Sequence, residues 1–131
     1  MTVARLKVLI ADQNPAIRRT LGDLLGERYD IVAEVEDGTS VCSKVAELTP
    51  NIILLGVSFA GVTGFQIARH LRQSDGAAKI IVISLHESTD LVRAAFAVGA
   101  SGYVFISRLL DDLPAAIDAV SRGQVFQPQH S

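Results

Sequence analysis

Few side chains in this chain could do chemistry. Asp12 closes the apolar run "LKVLIA", Ser84 closes "KIIVIS", and His86 and Glu87 follow at once in "SLHEST". A carboxylate, a hydroxyl and an imidazole brought to one point could hold a metal ion or stabilise a transferred anion. One histidine beside one or two carboxylates has no ligand spacing, so a solvated loop is the better reading of His86 and Glu87. Ser58 has no adjacent base to make it a nucleophile. Cys42 is the single cysteine; it excludes an internal disulfide and reads as a small packing residue of a helix. The glycines of "GVSFAGVTG" are not followed by the Gly-Lys-Ser/Thr of a phosphate loop, and a turn at Gly61 and a helix start at Gly64 account for them. His70 falls in a helical segment and His130 in a polar tail, and neither points to a role.

The elements that must position these groups follow from the apolar pattern. At 131 residues, 49% hydrophobic and 20% charged, the chain has the length and composition of one globular domain. A net charge of −2 with mixed signs gives no footprint for nucleic acid or an anionic membrane. Asp12 interrupts the first apolar run, so the N-terminus reads as a strand and the protein as cytoplasmic. The runs "LKVLIA", "DIVAEV", "NIILLG", "KIIVIS" and "GYVFI" alternate with segments of helical period, the pattern of an α/β fold around a parallel sheet.

Each helix has its own punctuation. Asn14-Pro15 caps a first helix that aligns Ile17, Leu21, Leu24 and Leu25. A second, near 39–48, follows Asp37-Gly38 and stops before Pro50. The third spans about 63–72, with Phe65, Ile67, Ala68 and Leu71 as packing residues. The fourth opens at Ser88 or Thr89 and closes at Gly99. In the last, "DDLPAAIDAVSRG", acidic residues occupy the first turn and Pro114 stands where an amide donor is dispensable. Five strands and five helices fit a doubly wound sheet of order 2-1-3-4-5, with ligands at the carboxyl ends of strands 1 and 3. That rule selects the loops "ADQNP", "GVSFAGVTG" and "SLHEST".

The stretches "VLIADQNPAIRRTL", "AEVEDGTS", "PNIILLGVSFAGVTGFQIARHLR", "KIIVISLHE", "AAFAVGASGYV" and "LPAAIDAVSRG" cover nearly all of the chain. In this order they resemble the receiver domains of two-component response regulators, nearest to those that precede a LuxR/NarL-type helix-turn-helix. The resemblance implies a flavodoxin-like (βα)5 sandwich over residues 1–123, with 124–131 as a tail or the start of a linker. It also implies a site that takes a phosphoryl group onto an aspartate at the end of the third strand. That site uses Mg²⁺, an acidic pair after the first strand, a hydroxyl ending the fourth and a lysine ending the fifth. Carried over residue by residue, the acidic pair falls on Asp12 and Gln13, the acceptor on Gly56, the hydroxyl on Ser84 and the lysine on Ile106. Tyr103 keeps the aromatic that switches rotamer in relatives, and Phe59-Ala60 replaces the usual Met-Pro.

The nucleophile, one metal ligand and the cation are thus missing together. An ammonium left in a half-buried cleft without its partner is costly, so the losses are mutually consistent. The expectation is a degenerate receiver with no cofactor and with Mg²⁺ binding weak or absent. Phe59, Phe105 or Ile106 is expected to fill part of the space above Gly56. Gly56 itself reads either as an unusual dihedral or as a close approach of other atoms. More local readings stand beside the inherited ones. Asp12 could be a polar strand end bonded to nearby amides, Ser84 a capping hydroxyl, and Tyr103 a half-exposed aromatic at the sheet edge.

The function expected is signalling by contact with a protein partner or a second copy of the chain, without phosphorylation, nucleic acid or membrane. The resemblance places the contact on the helix 4, strand 5, helix 5 face. There Arg93, Arg108, Asp111, Asp112, Asp118 and Arg122 could form reciprocal ion pairs. Two alternatives are a small-molecule sensor using the vacated cleft and the regulatory part of a longer DNA-binding or ATPase protein.

Overall fold

Alternate residues of the apolar runs go to opposite faces of one sheet, and this period of two builds two separate cores. The computed structural model describes residues 5–74 and 76–128, so His130 lies outside the described residues. The strands are β1 (Lys7–Ala11), β2 (Asp30–Val35), β3 (Ile52–Gly56), a short hairpin of β4 (Ser58–Phe59) and β5 (Val62–Thr63), then β6 (Lys79–Ser84) and β7 (Gly102–Phe105). All five long strands are parallel, in the order β2-β1-β3-β6-β7. With the hairpin set aside, this is the expected 2-1-3-4-5.

Helices α1 (Pro15–Leu25), α2 (Val41–Leu48), α3 (Gly64–Gln73), α4 (Thr89–Ala97) and α5 (Leu109–Ser121) cover the sheet. Leu9, Ala11, Ile53, Leu55 and Val82 face α2, α3 and α4, where Val41, Ile67, Ala68, Val92 and Ala95 meet them. Val8, Ile10, Ile52, Leu54, Ile81 and Ile83 face α1 and α5, against Leu21, Leu25, Leu113, Ile117 and Val120. With both faces covered, the central strand β3 is buried and apolar throughout. No helix among the described residues is long and apolar enough to cross a membrane.

The caps are local in origin. The Asn14 side chain accepts from the Ala16 N–H, Ser88 accepts from Leu91, and Thr63 and Gln66 form a reciprocal capping box. A 3-10 turn, Gly38–Ser40, precedes α2, so the α-helix itself begins only at Val41. Helix α5 starts earlier than its acidic residues suggest, after a 3-10 turn over Ile106–Arg108. Pro114 is therefore interior and not in the first turn. The bond it cannot donate would have ended on Leu110, a residue 75% exposed, where water can replace it. Beyond α5 the chain returns to the sheet: Phe126 pairs in parallel with Gly102, accepts from the Tyr103 N–H and donates to the Ser101 carbonyl. The first part of the stretch expected as tail or linker thus lies along the β7 edge, with Phe126 packed into the second core.

Two glycines after β3 serve different ends. Gly61 has φ +79° in the hairpin turn, with open space where a side chain would go. Gly64 opens α3 so close to β3 that an added Cβ would lie 2.1 Å from the Gly56 carbonyl oxygen. Gly61→Ala is expected to cost about 1 kcal/mol, from backbone strain alone. Gly64→Ala should cost about 3 kcal/mol, because rigid backbone must move. Urea unfolding of the two variants measures both, and the order of the two costs is the check.

Candidate functional site

The carboxyl ends of β1, β3, β6 and β7 surround an open cleft of about 450 Å³. Asp12, Gln13, Ser84 and Ile106 line it, together with His86, Val57, Leu85 and Ile83. Sequence reasoning named the first five and passed over the last three. Gly56 is buried and lies beneath the Asp12 side chain, not on the cleft wall.

Asp12 stays in place through its surroundings. Its side chain is only 8% exposed. Its Oδ1 accepts from the Asn14 N–H at 2.8 Å, its own N–H donates to the Val35 carbonyl at 3.0 Å, and the Arg18 guanidinium donates to its carbonyl oxygen at 2.7 Å. Arg18 also reaches the Gln13 carbonyl, so one cation one turn into α1 fixes the whole β1 to α1 loop. No motif in the sequence singled out this arginine; its position four residues beyond Asn14 was the only available hint. Burial raises the Asp12 carboxyl above its ordinary range, and the Asn14 bond and the Arg18 charge oppose that shift in part.

Gly56 is explained by the same carboxylate. Its φ is not positive, so no special dihedral requires glycine there. The close approach is real: an added Cβ would lie 2.6 Å from Asp12 Oδ2 and 3.0 Å from its Cγ. The expectation that a large apolar side chain fills this space needs correction for two of its three candidates. Phe59 turns toward α2, where its Cβ and Cγ stand 2.9 Å from the place of a Cβ on Gly38. Phe105 is buried in the first core, edge-on to Tyr103 with ring centroids 5.7 Å apart. Of the three, only Ile106 borders the cleft.

Tyr103 is fully buried, which removes the reading of a half-exposed edge aromatic. Its hydroxyl lies 3.5 Å from the His86 carbonyl and bonds to Ser84, and burial raises the phenol above its ordinary value. Ser84 Oγ accepts from the His86 N–H at 3.0 Å, so it acts locally as a turn hydroxyl. A second tie joins the loops: the Ser107 hydroxyl donates to Glu87. The Cys42 thiol is half-buried and desolvation raises its pKa, as suits a packing residue.

The charged residues of the α4, β7, α5 region pair within the chain. Arg108 pairs with Asp111 at 3.7 Å and Asp112 at 3.5 Å, and Arg122 pairs with Asp118 one turn earlier. Arg93, exposed on α4, makes no ion pair among the described residues. Reciprocal pairing across a two-fold axis would therefore have to displace existing pairs at every position except Arg93.

The residues do not fit the Mg²⁺ of the resemblance. Such an ion takes six oxygen ligands in near-octahedral geometry, usually with carboxylates converging on it. Here one carboxylate faces the cleft, the neighbouring position is the neutral and exposed Gln13, and no group of three His, Cys, Asp or Glu residues suits a metal among the described residues.

Comparison with known proteins places the fold in a family. Residues 8–118 match the response regulator receiver domain. The chain is 28% identical to a nitrate/nitrite response regulator protein homolog of Haemophilus influenzae, over 93% of this chain and 60% of that protein. It is also 28% identical to the DNA-binding transcriptional activator EvgA of Escherichia coli, over 94% of this chain and 61% of that one. The chain thus spans about three fifths of the length of these relatives. A crystal structure of a LuxR-family two-component response regulator from Aurantimonas sp. SI85-9A1 superposes with a TM-score of 0.88. It is 31% identical, over 94% of this chain and 89% of that one. The isolated receiver domain of RcsB from Salmonella enterica serovar Typhimurium shares the fold at a TM-score of 0.87 and 22% identity, over 95% of this chain and 94% of that one.

The raised Asp12 carboxyl sets a direction for stability against pH. The folded chain holds this proton more tightly than the unfolded chain. Asp12 therefore adds stability below the ordinary carboxylate range, and that contribution is lost as pH rises through its folded value. Asp12→Asn keeps an oxygen for the Asn14 N–H and removes the buried charge. Its stability relative to the native chain is expected to rise with pH across that window and then level off, as urea unfolding from about pH 3 to 7 would measure.

Proposed function

The chain belongs to the response regulator receiver family, and we propose that it is a receiver whose phosphotransfer chemistry has been removed and which signals through contacts instead. The observation that carries this reading is the pair Asp12 and Gly56. The acceptor position has no carboxylate, and the volume a side chain would need there is taken by a carboxylate oxygen from the neighbouring strand. The lysine position is Ile106, which leaves no cation on the cleft wall to neutralise a transferred phosphoryl group.

A signalling module without this reaction must convey its state through its surface. In this proposal it acts in the cytoplasm, with a protein partner or a second copy meeting the α4, β7, α5 face. Arg93 is an exposed cation of that face with no ion pair among the described residues. Relatives that include a DNA-binding transcriptional activator extend well beyond the matched region. The chain would then be the regulatory part of a longer protein, and any DNA contact would belong to other residues.

Two experiments follow. Intact-mass spectrometry after incubation with Mg²⁺ and acetyl phosphate should find the native chain unmodified, while Gly56→Asp with Gln13→Asp and Ile106→Lys gains one phosphoryl group. A labelled native chain would overturn the proposal. In sedimentation, Arg93→Glu should weaken self-association by about tenfold if the partner is a second copy. Asp118→Ala, whose charge is paired along α5, should change it by less than about twofold.

A further inference from the structure

The Asp12 carboxylate is only half used. Oδ1 accepts from Asn14, whereas Oδ2 has no N–H or O–H donor among the described residues, in a residue that is 8% exposed overall. No buried side-chain polar atom is sealed away without a partner among those residues, so Oδ2 is reached through the cleft. The cation nearest in charge, Arg18, cannot serve it from that side. Its guanidinium is bonded to the Asp12 and Gln13 carbonyls and lines a separate groove beside α1.

Half of the residues lining the cleft are polar, Gln13, Asn14, Ser58, Ser84 and His86 beside Asp12, and half are apolar. Val57, Ile83 and Ile106 border the cleft, and Leu85, 70% exposed, stands at its mouth. An anionic acceptor at the floor and hydrocarbon on part of the wall select a particular ligand chemistry. Inorganic anions are repelled by the carboxylate, and a hydrated divalent ion finds too few oxygens. An alkyl chain ending in a cation satisfies both features, because its stem packs on apolar surface while its head forms a charge-assisted hydrogen bond. The cleft volume of about 450 Å³ holds such a group with room to spare.

We propose that this cleft is a receptor site for an aliphatic cation, with an ammonium or guanidinium on Asp12 Oδ2 and its methylene stem against Ile83, Leu85 and Ile106. The proposal rests on the reading of the site as released from phosphotransfer. It specifies the chemistry the cleft then accepts, whether from a free amine or from a lysine or arginine of a protein partner. Placing a cation beside a carboxylate whose burial raises its proton affinity also favours the ionised form.

The test is an amide NMR titration of the full chain with n-pentylamine at about pH 8, above the ordinary histidine range. A ligand of this size should saturate on the order of 1 mM. The expected shifts centre on residues 12–15, 56–58, 83–86 and 106. Neutral 1-pentanol should bind at least about tenfold more weakly, as should Asp12→Asn. Ile106→Lys, which supplies an ammonium from the cleft wall, should also abolish amine binding while the fold is retained.

Parallel titration with Nα-acetyl-lysine methylamide separates the two sources. Binding of both compounds admits a partner's lysine, and binding of pentylamine alone assigns the site to free amines. Equal shifts from the alcohol, or amine shifts unaltered by both variants, overturn the proposal. So does the absence of saturation at about fifty times the expected concentration. Phosphoryl labelling of the native chain would overturn the underlying reading without altering the titration. A failed titration on an unlabelled chain overturns the cation site alone.

Discussion

Asp12 Oδ2 lies 2.6 Å from where a Cβ on Gly56 would stand, so a side chain there requires the carboxylate to shift. Most of the cleft follows from that proximity. A side chain at position 56 must push the carboxylate outward, away from the Asn14 amide that holds its other oxygen. The loop after β1 is fastened by Arg18 through two carbonyls, so the carboxylate sits on a backbone with little freedom to follow. The Asp12 carboxylate takes the space that a side chain at position 56 would need, and the strand crosses this point without a positive φ.

The remaining changes are consistent with that arrangement. A buried lysine opposite a site without its acceptor would be a charge without a partner, and Ile106 avoids that penalty. Ser84 keeps its hydroxyl, yet it serves the backbone of the next loop and the Tyr103 phenol. The buried Tyr103 in turn sits on β7, whose edge is paired by Phe126. The chain beyond α5 thus meets the strand that leads to Ile106 on the cleft wall.

The fold was legible because its signals are local and repeated. Alternation along β1 and β3, Asn14-Pro15 before α1 and Ser88 before α4 each name an element without reference to any other. That Asp12, Gln13, Ser84 and Ile106 meet at one cleft was legible too, since they fall at strand ends that the topology brings together. Side-chain directions were not. Whether Phe59 points into the cleft or toward Gly38 depends on the β4–β5 hairpin, which two-residue strands hardly signal. The start of α5 was misplaced because a proline is ordinarily a first-turn residue, and here it lies deeper, one turn beyond the exposed residue Leu110. Phe126 looked like tail because its partner, the free edge of β7, exists only once the sheet is assembled.

The central claim is that Asp12 and Gly56 form one packed unit in the place of a phosphoacceptor. A double-mutant cycle of Gly56→Ala and Asp12→Ala, followed by urea unfolding at neutral pH, tests it most directly. The account predicts that Gly56→Ala costs about 1–3 kcal/mol in the native chain and at least about 1 kcal/mol less when Asp12 has been truncated. Additivity of the two changes to within about 0.5 kcal/mol would mean that the carboxylate does not occupy the space at position 56, and would contradict the account.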